Sequence, residues 1–431
     1  MATLLKRGRR LLLRTSLPPQ RFLHTDSKSV NNARKLEEET VPDYEPKDFY
    51  PVTIGEVFKR RYQTLGKLGY GGNSTVWLCR DLQENAYAAL KVYTRAFAHS
   101  GPMHREFDIY DHLDQIKTSH PGAQLIRSRL DSFEVNGPHG RHNCIVHKPL
   151  QVDLASLQRD YPRRRYDAEL LRVALIYTLH ALDFLHTEAN VIHTGLYPYH
   201  FITLSHVRLL TAFADIKASN IMLTINDDTI LQDFEKAEME KPSDRKVYPD
   251  RTIYTSRQFR RPTVYGLPTL CDFGEARFGP VQEPAVVQPE AYRAPEVVLE
   301  MPWSYSVDIW NIGVMIWNLF ENKTLFQNDP GEKGMSNMYH LAQIQAYIGP
   351  PPVEFLQRSK LSHYCWDEEG NWVNRVASIP DFSLEQSEEN LEGSDKKMFL
   401  EFVRSMLRWV PEERKTAREL LLDPWLNGEV P

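Results

Sequence analysis

Two short runs constrain this chain more than anything else in it. They are Asp215-Ile216-Lys217-Ala218-Ser219-Asn220, which leads into the apolar Ile221 to Ile225, and Leu270-Cys271-Asp272-Phe273-Gly274. An aspartate, a lysine two residues on and an asparagine five on place three polar functions on one loop. Asp272, at the turn after another apolar strand, adds a fourth. Phosphoryl transfer calls for such a set, because its catalysis is mostly positioning and charge neutralisation. In that reading Asp215 accepts or orients a hydroxyl proton and Lys217 stabilises charge on the moving group, while Asn220 and Asp272 hold magnesium. Each aspartate alone reads equally well as a turn residue. Their order and spacing carry the signal.

Upstream segments supply what such a loop requires. Tyr62 to Leu68 and Ser74 to Cys79 are rich in β-formers and flank Gly69-Tyr70-Gly71-Gly72. Glycines there let backbone amides approach phosphate oxygens closely. A third apolar run, Ala86 to Val92, carries Lys91, a point charge suited to the α- and β-phosphates. Leu68, Gly69, Tyr70, Gly71, Gly72, Ser74, Val76, Ala89 and Lys91 form the candidate nucleotide-binding set. The bland alternative for Lys91 is a strand lysine reaching for solvent. Glu106, in the helical stretch His104 to Leu113 and in register with Tyr110, is the candidate partner for its ammonium, with Asp108 as the alternative. His142 to Leu150 reads as a buried strand running into a connector, where Leu150 and its neighbours would offer backbone groups to adenine. Leucines and alanines from Leu171 to Leu185 recur at helical spacing.

The C-terminal half adds Tyr292-Arg293-Ala294-Pro295-Glu296, with Glu296 expected to pair with Arg414, and Asp308 opening a helix apolar almost all round. On these residues the chain resembles the SR-protein kinase family, within the CMGC group of serine/threonine kinases. The likeness covers roughly Tyr50 to Leu426, and its more specific features are Pro51-Val52-x-Ile54-Gly55, the run from Leu68 to Leu78, Gly137-Pro138-x-Gly140, His193-Thr194 and Asp215-Ile216-Lys217. The resemblance implies an α+β, two-lobed protein-kinase fold, with a small antiparallel β-rich lobe at 49–148 and a larger, mainly helical lobe at 149–426. It further implies ATP and Mg2+, serine phosphorylation in Arg-Ser-rich proteins of RNA processing, a monomer, and a place in cytoplasm and nucleus. Ser74 stands where the kinase glycine loop usually has its third glycine. Two features depart from the family pattern: His147-Lys148 stands at the gatekeeper and hinge, and the stretch between Asn220 and Asp272 is short for the family's spacer.

Thr194 occupies the position where many kinases carry an arginine that grips an activation-segment phosphate, and Glu275 to Ala291 contains no serine, threonine or tyrosine. Receptor and phosphosite are both missing, so the segment is expected to need no phosphorylation. Gly195 to Ala214, leucine-rich and aromatic, separates His193-Thr194 from Asp215, where such kinases run without a gap. It reads either as an exposed docking loop or, the preferred reading, as a translated in-frame intron whose ends can be encoded with GT and AG boundaries. If the insert is genuine and disruptive, the chain as written is an inactive ATP-binding pseudokinase or scaffold. The presence of Lys91, Asp215, Asn220 and Asp272 together favours an enzyme.

Composition excludes more than it identifies. A net charge of -5 over 431 residues lacks the basic footprint of a nucleic-acid binder. No apolar run approaches bilayer length. The cysteines (79, 144, 271 and 365) lack the paired spacing of a disulfide framework or zinc site, which suits a reducing compartment. Met1 to Thr25 has no acidic residue and alternates arginines with leucines. That is a mitochondrial transit peptide or a disordered basic arm. Asn31 to Asp48, with Glu37-Glu38-Glu39, reads as a polar linker completing the 1–48 arm. Asp367-Glu368-Glu369 is either a docking point for basic peptide or a solvated turn.

Overall fold

The computed structural model describes residues 34–42, 44–95, 101–194, 218–285, 287–327 and 336–428. The chain divides into two compact units, each assembled from three stretches. The first takes Met1–His99, Arg129–Pro149 and Ile225–Val264; the second takes Ser100–Ser128, Leu150–Thr224 and Tyr265–Pro431. The basic arm, the 195–214 insert, Asp215 and Lys217 lie outside the described residues.

The first unit is built on an antiparallel six-stranded sheet in the order β1-β2-β3-β4-β6-β5. Its strands are β1 (Val57–Phe58), β2 (Tyr62–Tyr70), β3 (Ser74–Asp81), β4 (Ala86–Tyr93), β5 (Arg129–Gly137) and β6 (Gly140–His147). Successive side chains point to opposite faces, and here both faces are covered. Trp77, Cys79, Ala88, Leu90, Val92, Cys144 and Val146 pack on one side with Phe58, Tyr62 and Tyr254. On the other, Leu65 and Leu78 meet Leu231 and Phe234. The last two come from the helix Thr229–Glu240, in the segment between the two defining runs. A Cβ at Gly66 would lie 2.8 Å from the Phe234 ring, so only glycine lets the helix seat there. Burying that ring stabilises the contact by about 2 kcal/mol.

The acidic triplet is not a solvated linker. Glu37–Thr40 forms a short 3-10 turn in which Glu38 and Glu39 are buried. The physical reason is Lys67, a fully buried lysine on β2. Its ammonium pairs with Glu38, lies 3.6 Å from Glu37 and donates to the Tyr254 carbonyl at 3.2 Å. Lys246 sits 3.0 Å from Glu39, which also accepts from the Tyr248 hydroxyl at 2.6 Å. Burial holds the Glu38 carboxyl above its ordinary range in spite of Lys67.

The second unit is mainly helical. It contains α1 (Gly101–Leu113), α2 (Ala168–Thr187) and α3 (Ser306–Glu321), with further helices at Asn337–Ile348 and Gly393–Met406. A small antiparallel sheet joins β7 (Leu150–Asp153), β8 (Ile221–Thr224) and β9 (Pro268–Leu270), with β8 in the middle. Asp167 caps α2 by accepting from the Leu170 amide at 2.8 Å, and Leu171, Leu175, Leu179, Leu182 and Leu185 bury its apolar stripe. The helix α3 is buried almost all round, as its sequence requires. Arg414 grips Glu296 through two hydrogen bonds of 2.7 and 2.6 Å, both side chains wholly buried. All four cysteines are free and buried.

Candidate active site

In the first unit, register decides which candidates share a face. Val76 pairs with Lys91 and Leu78 with Ala89 across β3 and β4, so Val76, Ala89 and Lys91 point to the same side of the sheet. Gly69 lies opposite Val76, and the Gly71 amide donates to the Ser74 carbonyl at 2.8 Å, closing the β2–β3 turn. Leu68 sits at an irregularity in β2, between Lys67 and Gly69. A Cβ at Gly69 or Gly71 would meet no protein atom within 4 Å, so the fold itself does not demand glycine there. At Gly72 the nearest such atom is a Val41 methyl at 3.6 Å. Tyr70 is exposed and its hydroxyl lies 3.4 Å from that of Thr40. The Lys91 ammonium lies 4.6 Å from the centroid of the Tyr93 ring. His147, buried, ends β6 opposite Ala89.

In the second unit, two candidate metal ligands come together. Asn220 directly precedes β8 and Asp272 follows β9 by one residue. Leu270 pairs with Ile221, and the Cys271 amide donates to the Asn220 carbonyl at 2.8 Å, so both side chains belong to the same end of adjacent strands. Asp272 has φ 72°, a left-handed conformation uncommon for a non-glycine residue. Its turn is braced from below by His193, whose Nε2–H donates to the Cys271 carbonyl at 3.0 Å. Burial depresses the His193 pKa, keeping the imidazole neutral.

Asp308 anchors the chain that carries His193. One carboxylate oxygen accepts from the His193 amide at 2.8 Å and from the His186 ring at 2.9 Å, and the other accepts from the Thr194 amide at 2.8 Å. Thr194 adopts φ 61° and donates its hydroxyl to the Glu275 carbonyl at 2.6 Å. A stack of rings runs from α1 to the Asp272 turn and on to His193: Tyr110 lies edge-on to Phe273 at 5.6 Å, and Phe273 to His193 at 5.2 Å. Glu106, on α1 one turn before Tyr110, is buried. Leu150 begins β7, buried and opposite Thr224.

Asn220 and Asp272 are thus brought together, and Val76, Ala89 and Lys91 share a face. The sequence marks Asp308 as a helix opener but does not spell out its anchoring role, whose one signal is an acid inside a run of buried apolar residues with no adjacent cation. Nor does local sequence reveal the ion pair of Glu275 and Arg105 at 3.0 Å. Asp367 spends its carboxylate on the Asn371 amide and side chain at 2.7 and 3.0 Å, so it serves as a turn former.

A neutral histidine bracing an aspartate turn, an asparagine beside that turn and a buried aspartate fixing the loop define a protein-kinase type of centre. Comparison with known proteins agrees. The sequence profile of the protein kinase domain matches residues 265–426. A serine/threonine protein kinase of Aspergillus fumigatus is 43% identical over 415 residues, covering 96% of each chain. The serine/threonine-protein kinase SRPK of Physarum polycephalum is 28% identical, covering 92% of each. The crystal structure of a kinase domain, 20% identical, superposes with a TM-score of 0.63 over 89% of this chain and 100% of that one, which shows the shared fold. The chain belongs to the serine/threonine protein kinase family, and it is a phosphotransferase with that family's mixed α+β fold. No helix among the described residues is long and apolar enough to cross a membrane.

Proposed function

We propose that this kinase transfers the γ-phosphoryl group of ATP to serines of Arg-Ser-rich proteins in RNA processing. The observation that carries the phosphoryl-transfer part is the convergence of Asn220 and Asp272 at one end of β8 and β9, braced by His193. An amide oxygen and a carboxylate so held are hard donors suited to Mg2+. The metal, when bound, neutralises charge on the nucleotide's phosphates. Lys91 and the amides of Gly69, Gly71 and Gly72 take the phosphates, with Tyr70 and Ser74 shaping their turn. Leu68, Val76 and Ala89 take the base, and Leu150 offers it backbone groups. Glu106 orients Lys91, Asp215 orients the substrate hydroxyl, and Lys217 stabilises charge in transfer. The substrate class rests on the sequence resemblance and on the likeness to the Physarum kinase.

The test is phosphorylation of an Arg-Ser peptide by the full chain, by Asp272→Asn and by a chain lacking Gly195 to Ala214. Transfer by the deletion chain, by the full chain or by both supports the reading, and Asp272→Asn in an active chain should lower it by about a hundredfold or more. Activity only in the deletion assigns the insert to a retained intron. Nucleotide binding with no transfer in either chain would replace this reading with the pseudokinase scaffold.

A further inference from the structure

A kinase helix that carries the partner of the strand lysine must be held in place, and many kinases do this through a phosphate on the activation segment. Here that segment offers no hydroxyl between Glu275 and Ala291. The structure contains a different tie, entirely within the second unit. The Glu275 carboxylate is buried, and its Oε2 accepts from Arg105 of α1 at 3.0 Å and from Arg277 at 3.1 Å. Arg105 directly precedes Glu106. Arg277 also donates to the Glu275 carbonyl and lies on a short strand paired with Val191–Ile192, immediately before His193. The same carbonyl accepts from the Thr194 hydroxyl at 2.6 Å. Farther along α1, His112 lies 2.7 Å from the Ala189 carbonyl and edge-on to Phe278.

We propose that Glu275 is a positioning residue: a built-in carboxylate that clamps α1 to the activation segment through Arg105 and Arg277. It provides, from within the chain, the fixed anion that a phosphate would otherwise supply. Charge-assisted bonds from two guanidiniums to one buried carboxylate oxygen give the geometry its stiffness. The consequence for catalysis is indirect. Loss of the anion leaves two neighbouring cations facing each other and frees the end of α1 that carries Glu106. Thr194 contributes from the other side, taking the backbone of the same residue where other kinases place an arginine.

This inference rests on the kinase reading, so its readouts are split between structure and activity. Hydrogen exchange of the Glu106–Leu113 amides requires no turnover. In Glu275→Gln, which keeps shape and loses charge, these amides should exchange about tenfold faster or more. The kcat should fall by a similar factor, while a thermal melt stays close to that of the parent. Glu275→Asp should retain more activity than Glu275→Gln. Arg105→Gln tests the same bond from its more exposed end, and combining it with Glu275→Gln should add little. Phosphatase treatment of the parent should leave kcat unchanged. Parent-like exchange and kcat in both Glu275→Gln and Arg105→Gln would overturn the proposal, as would a large phosphatase effect. A parent inactive both as the full chain and without Gly195 to Ala214, whose α1 still loosens in Glu275→Gln, would uphold the clamp and sink the activity assignment instead.

Discussion

The Asp308 carboxylate accepts from two consecutive backbone amides and an imidazole, and none of these bonds involves a reacting atom. On the proposed function it therefore acts on catalysis through the position of His193 and, through His193, of the Asp272 turn. Asp308→Asn replaces one acceptor oxygen by an NH2 group that faces an N–H donor, leaving a buried amide unpaired at a cost of about 1–3 kcal/mol. The expected outcome is a kcat about a hundredfold lower, since displacement by an ångström has that effect. Steady-state kinetics beside a urea titration separates this from general unfolding. Lys67 makes the opposite kind of case, where stability rather than catalysis is at stake. It is fully buried between Glu37 and Glu38. Lys67→Met strands the Glu38 carboxylate and should destabilise the protein by roughly 3–5 kcal/mol. Adding Glu38→Leu should recover much of that loss, because an apolar replacement for a buried pair is often neutral. If the double variant melts no higher than the single one in urea, Glu38 is not the counter-charge.

At the scale of elements, what was legible depended on whether the partner of a residue lay nearby in sequence. The strands β2 to β4 showed as runs rich in β-formers, α2 as an apolar stripe at helical spacing and α3 as a helix apolar almost all round, because each of these signals is local in the sequence. The helix Thr229–Glu240 did not, since Leu231 and Phe234 sit among charged residues and their partners Leu65, Gly66 and Leu78 are far away in the chain. Glu38 and Glu39 looked solvated for the same reason, with Lys67 and Lys246 remote. Of the candidate residues, the convergence of Asn220 with Asp272 and, separately, the shared face of Val76, Ala89 and Lys91 were legible because local spacing encodes them. Glu275 and Asp308 were not, because their meaning lies in distant donors. The helix Asn337–Ile348 offers a testable element of this hidden kind. His340 is buried, its Nε2–H donates to the Arg293 carbonyl at 2.7 Å, and Nδ1 has no partner. Burial pushes its pKa down to about 4, helped by the Arg293 charge, while the Phe326 ring covers it at 4.7 Å. An unfolded histidine titrates near about 6.5. The unfolded chain thus binds the proton first. Stability from His340 is complete above about pH 6.5 and drains away as pH falls towards 4, by up to roughly 3 kcal/mol. His193, also buried and neutral, acts with the same sign. Urea midpoints taken across this range should fall less steeply in His340→Gln than in the parent, and parallel slopes would contradict the account.

For the whole molecule, the telling fact is that the first unit is assembled from separated stretches and must be closed by contacts between them. The glycine-bearing strand β2 is where they meet. Phe234 covers Gly66, Glu38 holds Lys67, and Thr40 reaches Tyr70. Ser256 donates its amide and hydroxyl to Glu37 at 3.1 and 2.7 Å, and Lys246 joins Glu39, so the acidic turn also fastens the 225–264 segment. The turn is therefore a clip on two pieces of chain at once, β2 and the 225–264 segment. Its contribution is measured by comparing a chain that starts at Arg34 with one that starts at Tyr44, since both lack the basic arm. The shorter chain leaves Lys67 and Lys246 without their carboxylates. Water entering the uncovered site offsets part of the penalty, which should still reach about 2 kcal/mol in a urea titration. On the proposed function it should also raise the KM for ATP, because Tyr70 and the strand leading to Gly69 lose their outer support. A stability loss with unchanged KM would make the clip a fastening of the unit alone. A raised KM with unchanged stability would make it an adjuster of the glycine turn. Parity in both measurements would mean that the buried charges of β2 are satisfied without it, which contradicts the pairing seen at Lys67.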